Sequence, residues 1–311
     1  MDEMGTRATG KSMAADMNHK RIVLLDGGMG RELWYRGVDV PKGLWSAQAL
    51  FDAPGVVREI HRDYILAGAD VITTNTYGVV RENFESLGLG DRFGEMLELA
   101  CQLAIEGREE AGAPARIAGS LPPLEESYRP DLVRPFEEML PRYQEMVGHM
   151  APLVDFFLCE TMSNIDESLA AATAAAESGK PVWVAWTLND YAPDRLKSGE
   201  TIAQATEALA HLPIEGLLAN CCMPETIAAA MPDLGNTNKS YIGGYANTFN
   251  TPPPDWTLES EGLLGLREDL DPEPYAALVE QWLDGGATVV GGCCGTRPAH
   301  IALLRSLIEG C

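Results

Sequence analysis

The sequence is short of positive charge: 23 Lys and Arg stand against 46 Asp and Glu, for a formal net charge of −23 and a pI near 4.5. A surface of that sign repels phosphate, so a nucleic-acid partner is not expected and solubility is the plain consequence. Long hydrophobic runs are also missing, none approaching the roughly 20 residues that cross a bilayer, so no membrane partner is expected. Residues 1–19 have no apolar stretch and mix charges of both signs, unlike a secretory leader. They are expected to form a disordered arm ahead of a single domain spanning 20–311. The seven cysteines include no Cys-x-x-Cys and lack the regular spacing of a small secreted scaffold. A disulfide framework is therefore not expected, and a reducing, cytoplasmic location is.

What the chain does have is alternation. With 46% hydrophobic and 22% charged residues it has the composition of a globular enzyme,. Short apolar or β-branched runs recur between helical patterns: Arg21 to Leu25, Val71 to Gly78, Ile117 to Leu121, Val154 to Cys159, Pro181 to Thr187, Gly216 to Cys221, Tyr241 to Asn247 and Thr288 to Gly292,. Helical spacing fills Pro54 to Ala69, Arg81 to Ala111, Phe136 to Met150 and Ile165 to Glu177, while the proline-bearing stretch from Pro123 to Pro135 reads as a loop. Eight strands alternating with helices predict a closed (β/α)8 TIM barrel, with an open doubly wound sheet as the alternative. Closure is favoured because Asp26, Asn75, Glu160, Asn220, Cys221, Asn247, Cys293 and Cys294 all fall at strand C-terminal ends, the rim that builds active sites in such barrels. The stretch Thr251 to Asp269 is long for a plain connection and is expected to cover the mouth.

The chemistry concentrates in Gly291-Gly292-Cys293-Cys294-Gly295-Thr296. Adjacent cysteines strain a mutual disulfide, and two thiolates side by side suit a soft metal. Cys221, ending the sixth strand, completes a three-thiolate set; neighbours on a strand face opposite ways, so Cys222 is expected to pack as a small hydrophobe, as are Cys101 and Cys159. Three thiolates without a fourth protein ligand leave a position open, as catalytic zinc sites do. A substrate thiol fits that position and would be held as thiolate at neutral pH. Zinc hydrolysis is disfavoured, since three thiolates make the metal electron-rich and a poor activator of water.

These motifs, together with Asp26-Gly27-Gly28-Met29-Gly30, Leu44-Trp45-Ser46, Thr74-Asn75-Thr76-Tyr77, Gly119-Ser120 and Glu160-Thr161, resemble those of the zinc-dependent homocysteine S-methyltransferase family. The resemblance runs over nearly the whole chain. It implies zinc on Cys221, Cys293 and Cys294, and a homocysteine pocket formed by Asp26, Gly27, Gly28, Glu160, Thr161 and Asn247, with Glu160 holding the amino group. It further implies Trp45 and Tyr77 as walls of a pocket for a small methyl donor of cationic type, where aromatic faces stabilise the charge. The family commonly carries Ser-Gly after the seventh-strand asparagine; Thr248-Phe249 stands here instead, which bears on donor shape. The chain ends soon after Thr296, without the extension of betaine-using relatives or the modules of cobalamin-dependent methionine synthase, so the free-standing, S-methylmethionine-using type is the expectation. The alternative is a zinc protein that captures a thiol without transferring methyl. Nothing in the sequence specifies an oligomeric state.

Overall fold

The computed structural model describes residues 21–41, 43–250 and 265–310. The expected arm at 1–19 lies outside the described residues, as does the expected cover over Thr251 to Asp269 up to residue 264. Eight parallel strands form one sheet: β1 (Val23–Leu24), β2 (Val71–Thr73), β3 (Arg116–Leu121), β4 (Phe156–Met162), β5 (Val182–Trp186), β6 (Ile214–Asn220), β7 (Tyr241–Ala246) and β8 (Val289–Gly292), with β1 against β8 at one end of the order and β2 at the other. The seam between β1 and β2 closes the barrel. Leu25 bridges Val71, and the Asp70 amide donates to Leu24 O at 2.8 Å. Two carboxylates supply what this short ladder lacks: Asp70 Oδ2 accepts the Leu24 amide at 3.0 Å and Asp26 Oδ2 accepts the Thr73 amide at 2.8 Å. Backbone groups at a strand end need partners as much as those in its middle. The doubly wound alternative is thereby overturned.

Period-two alternation sorts the strands into two cores. Leu25, Val71, Ala118, Phe156, Leu158, Trp183, Ala185, Leu218, Tyr245 and Val289 fill the barrel interior. Their neighbours Leu24, Ile72, Ile117, Phe157, Val184, Leu217 and Val290 face the helices. Trp183 stacks between Phe156 and Tyr241, with ring centroids 4.6 and 4.4 Å away, so the interior below the mouth is packed rather than hollow. The same inward rows continue upward from Ala118 to Ser120 and from Leu158 to Glu160, carrying polar groups to the rim.

One expectation needs correction. The helical stretch from Arg81 to Ala111 is two helices, Arg81–Ser86 and Phe93–Ala111, because Gly88 adopts φ 71° and a short 3-10 turn at Gly90–Arg92 follows. After β5, Leu188–Asn189 and Ala192–Leu196 pair as an antiparallel hairpin. Asp190 at its tip accepts the Met223 amide and the Thr226 hydroxyl, both at 2.9 Å, so the hairpin braces the turn just after Cys221 and Cys222.

Helices Pro54–Leu66 and Phe93–Ala111 meet where Gly107 leaves no room for a side chain; a Cβ there would lie 2.8 Å from Arg58 O and 2.9 Å from His61 Cβ. His61 is fully buried at this contact, and neither ring nitrogen has a hydrogen-bond partner among the described residues. Burial pushes its pKa from 6.5 down to about 4. The unfolded chain therefore takes up the proton first as pH falls, and stability is lost between pH 6.5 and about 4,. Buried carboxyls raised to about 7 at Asp26, Glu160 and Glu167 work in the opposite sense over part of that range. A His61→Phe comparison isolates the histidine. The stability of wild type minus variant, from urea unfolding, is expected to stay level above pH 6.5 and to fall by roughly 3 kcal/mol toward pH 4,; parallel curves would show that the ring is not held neutral.

Candidate metal centre and substrate pocket

The sulfurs of Cys221, Cys293 and Cys294 lie within 4.8 Å of one another, with Cys221 and Cys293 2.8 Å apart. Strand register brings them together. β7 lies between β6 and β8, so the Cys221 amide donates to Tyr245 O at 3.3 Å from one side, and the Cys293 amide to Ala246 O at 2.9 Å from the other. Cys222 packs in the helix-facing core, and Cys101 and Cys159 are fully buried, as expected for small hydrophobes.

The cysteine turn is locked from beneath. Thr296 Oγ1 donates to Cys293 O at 2.7 Å, the Cys294 amide donates to Asn247 Oδ1 at 3.2 Å, and the Thr248 amide donates to Cys294 O at 2.9 Å. Here the glycines of the first strand find their reason. A Cβ on Gly28 would lie 2.7 Å from Cys293 O, and one on Gly27 2.7 Å from Thr296 Oγ1. The close approach that Gly27 and Gly28 permit is thus to the cysteine turn. Asn247 likewise orients Cys294 through its side-chain oxygen.

Cys221 is reached from the other side by side chains on β4 and the loop after β3. Asn220 accepts the Thr161 amide and donates to Thr161 Oγ1, both at 2.9 Å. Thr161 and Tyr128 in turn hydrogen-bond the Cys221 sulfur. Tyr128 sits in the loop read only as a proline-bearing connection, and no sequence signal singled it out. Cys221, Thr161, Tyr128 and Trp45 all hold φ between 51° and 67°. Non-glycine residues in that region store strain, which concentrates at functional sites.

Three buried thiols this close cannot all ionise unaided. Hydrogen bonds from Cys293 and Cys294 hold the Cys221 thiol well below the ordinary cysteine range, whereas those same bonds to Cys221, together with burial, hold Cys293 and Cys294 well above it. A divalent cation relieves the repulsion, and the spacing suits it: metal–sulfur bonds of about 2.3 Å in a tetrahedral site set sulfur–sulfur edges of roughly 3.8 Å. The cluster brackets that length, running from 2.8 Å up to no more than 4.8 Å.

Across the mouth, Glu160 is 8% exposed, accepting from Ser120 Oγ and, at 3.0 Å, from the Tyr245 hydroxyl. Burial, followed by the nearby Cys221 and Asp26, raises it to about 7 against those bonds. A neighbouring ammonium would restore its charge. Ser120 and Tyr245, part of motifs already noted, gain a definite task here. Asp26 is also buried, with its pKa raised to about 7, and both its oxygens bond Thr73 at 2.8 Å, so its carboxylate is committed to the seam. Tyr77 bonds Ser127 Oγ at 2.5 Å and lies close enough to Cys221 to feel its charge. Trp45 opens a short 3-10 helix whose Ser46 carbonyl accepts from Asn75 at 2.9 Å, placing it at the end of β2 near Tyr77.

Comparison with known proteins yields a consistent set. The family model for homocysteine S-methyltransferase matches residues 23–308. Homocysteine S-methyltransferase of Escherichia coli is 29% identical over 94% of this chain and 97% of its own, and homocysteine S-methyltransferase 4 of Zea mays is 28% identical over 92% and 89%. Among solved structures, the metallated form of the homocysteine methyltransferase MmuM from Escherichia coli superposes with a TM-score of 0.79 at 28% identity, covering 94% of this chain and 98% of that one. No helix among the described residues is long and apolar enough to cross a membrane.

Metal addition tests the cluster. Co2+ is expected to bind with one-to-one stoichiometry, give a thiolate charge-transfer band and release protons, since the metal takes its cysteine ligands as thiolates. Calorimetry in buffers of different ionisation enthalpy measures the release. Cys221→Ala is expected to abolish the band; its persistence would remove Cys221 from the ligand set.

Proposed function

The chain belongs to the homocysteine S-methyltransferase family and methylates the sulfur of homocysteine; from that premise we propose that Cys221, Cys293 and Cys294 hold zinc, and that the donor is a cationic methyl compound of the S-methylmethionine type. The observation that carries the zinc reading is the three-sulfur cluster, whose members lie within 4.8 Å of one another. Bound zinc supplies the charge that keeps a substrate thiol ionised at neutral pH.

The chain's own groups do the rest. Glu160, set by Ser120 and Tyr245, faces the mouth as an acceptor for the homocysteine ammonium,. The turn from Asp26 to Gly28 and the Thr161 and Asn247 positions form the walls around that amino acid, chiefly by fixing the cysteine loops. Trp45 and Tyr77 offer aromatic surface to a sulfonium. In the transfer, the homocysteine sulfur attacks the donor methyl carbon, the bond from that carbon to the donor sulfur breaks, and its electron pair stays on the donor, which leaves as a neutral thioether. The thiol proton is lost to solvent beforehand. No general base is needed once the thiolate exists, and in-line positioning carries most of the rate. A cytoplasmic setting suits unpaired thiols and is part of the same proposal.

A donor screen with homocysteine, reading methionine, is expected to favour S-methylmethionine over betaine. Cys293→Ala is expected to lose both stoichiometric zinc and methionine formation, and retained activity in that variant would refute the zinc role. Glu160→Gln is expected to raise KM for homocysteine by about tenfold or more, consistent with loss of a charge-assisted pair, with a smaller change in the KM for donor. Protein that binds homocysteine but methylates it from no donor would instead be a thiol-capturing zinc protein.

A further inference from the structure

The hairpin after β5 directs a buried carboxylate at the turn that carries Cys221. β6 stops at Asn220 and the helix Pro224–Gly235 follows, with only Cys221, Cys222 and Met223 between them. Cys221 makes this turn in the left-handed region, φ 51°, which a residue with a Cβ holds only where its surroundings fix it,. Met223 stands at the N-cap and offers the helix no side-chain hydrogen bond,. Asp190 supplies the acceptor from outside: its Oδ1 takes the Met223 amide and the Thr226 hydroxyl, both at 2.9 Å. A negative charge also suits that end of a helix. The other oxygen takes the Lys197 ammonium at 3.2 Å, and the Asp190 side chain is 6% exposed. Thr187, just ahead of the hairpin, donates its hydroxyl to Cys221 O at 3.3 Å and accepts the Lys197 amide on its carbonyl at 3.2 Å.

The three sulfurs differ in how they are held. Cys293 and Cys294 are adjacent and share one turn, whereas Cys221 comes from another strand, so the spacing of the cluster depends on where its turn is fixed. We propose that Asp190 is a positioning residue for the metal centre, holding the Cys221 turn where its sulfur meets those of Cys293 and Cys294. It acts through the Met223 amide and the start of the helix, and is not itself a ligand. The proposal rests on the zinc reading for the identity of the metal. Without the carboxylate, the Met223 amide and the Thr226 hydroxyl lose their acceptor, and Cys221 is released to relax from its left-handed backbone. A ligand that must be reordered on binding lowers the affinity of the site.

Chelator competition on the full chain measures zinc affinity, and the charge-transfer band of the Co2+ derivative reports how many thiolates bind. Asp190→Ala is expected to weaken zinc by about tenfold or more and to reduce the band. Asp190→Asn keeps an acceptor for both donors and is expected to recover most of the affinity and the band. Thr226→Val removes one of the two bonds and leaves the Met223 amide its acceptor; it is expected to weaken zinc by about threefold, and it carries the test if Asp190→Ala does not fold. Thermal unfolding of the metal-free variants separates a loss of stability from a loss of positioning. Lowered stability with unchanged zinc affinity and band, or equal losses in Asp190→Ala and Asp190→Asn, would overturn the proposal while leaving the zinc reading in place. A wild type that takes up no metal would overturn the zinc reading and the proposal with it.

Discussion

Three sulfurs within 4.8 Å at a largely buried barrel mouth impose a constraint that the surrounding structure serves. Burial and mutual repulsion oppose ionisation of the set, while its chemistry requires ionisation. The protein's answer is positional. Hydrogen bonds from its neighbours hold the Cys221 thiol well below the ordinary cysteine range, and the same contacts with burial hold Cys293 and Cys294 well above it. An electron-rich three-thiolate site with room for a soft donor suits thiol chemistry better than water activation.

Holding that geometry dictates features far from the sulfurs in sequence. Thr296, Asn247 and Thr248 fasten the cysteine turn, Gly27 and Gly28 let β1 pass beneath it, and Asp26 ties β1 to Thr73 where ladder bonds are few. Tyr64 adds a hydroxyl 3.1 Å from both Gly28 O and Thr296 O. The barrel seam and the cysteine turn are thus one structure. Residues that a family pattern marks as substrate-lining act here in large part on each other, which explains how short motifs scattered over the chain belong to a single site.

Recognition is layered around this centre. Glu160 lies on the inward row of β4, supported by Ser120 and Tyr245 from β3 and β7. Trp45 and Tyr77 are the aromatic groups proposed for the donor side. Arg31 lies over the Phe249 ring, 5.2 Å from its centroid.

Alternation of strand and helix, the eight-strand count and the candidate thiolate set were legible in the chain itself, because period-two and helical patterns and adjacent cysteines are local features. Alternation implied that only one of Cys221 and Cys222 reaches the mouth but not which; the left-handed backbone at Cys221, φ 51°, breaks the strand's alternation there, and Cys222 packs in the helix-facing core. Local pattern could not distinguish the hairpin Leu188–Leu196, whose strands are short and half polar, from a loop. Nor could it find Tyr128, whose place beside Cys221 depends on a left-handed backbone in a loop packed by other segments. The Phe249 departure was visible in sequence, but its partner Arg31 was not, for the two are separated by most of the barrel. Sequence determined which groups are the candidates for the chemistry and which strand ends carry them. Closure of the barrel alone decided which of them touch, because only a closed sheet puts strands remote in the chain on one rim.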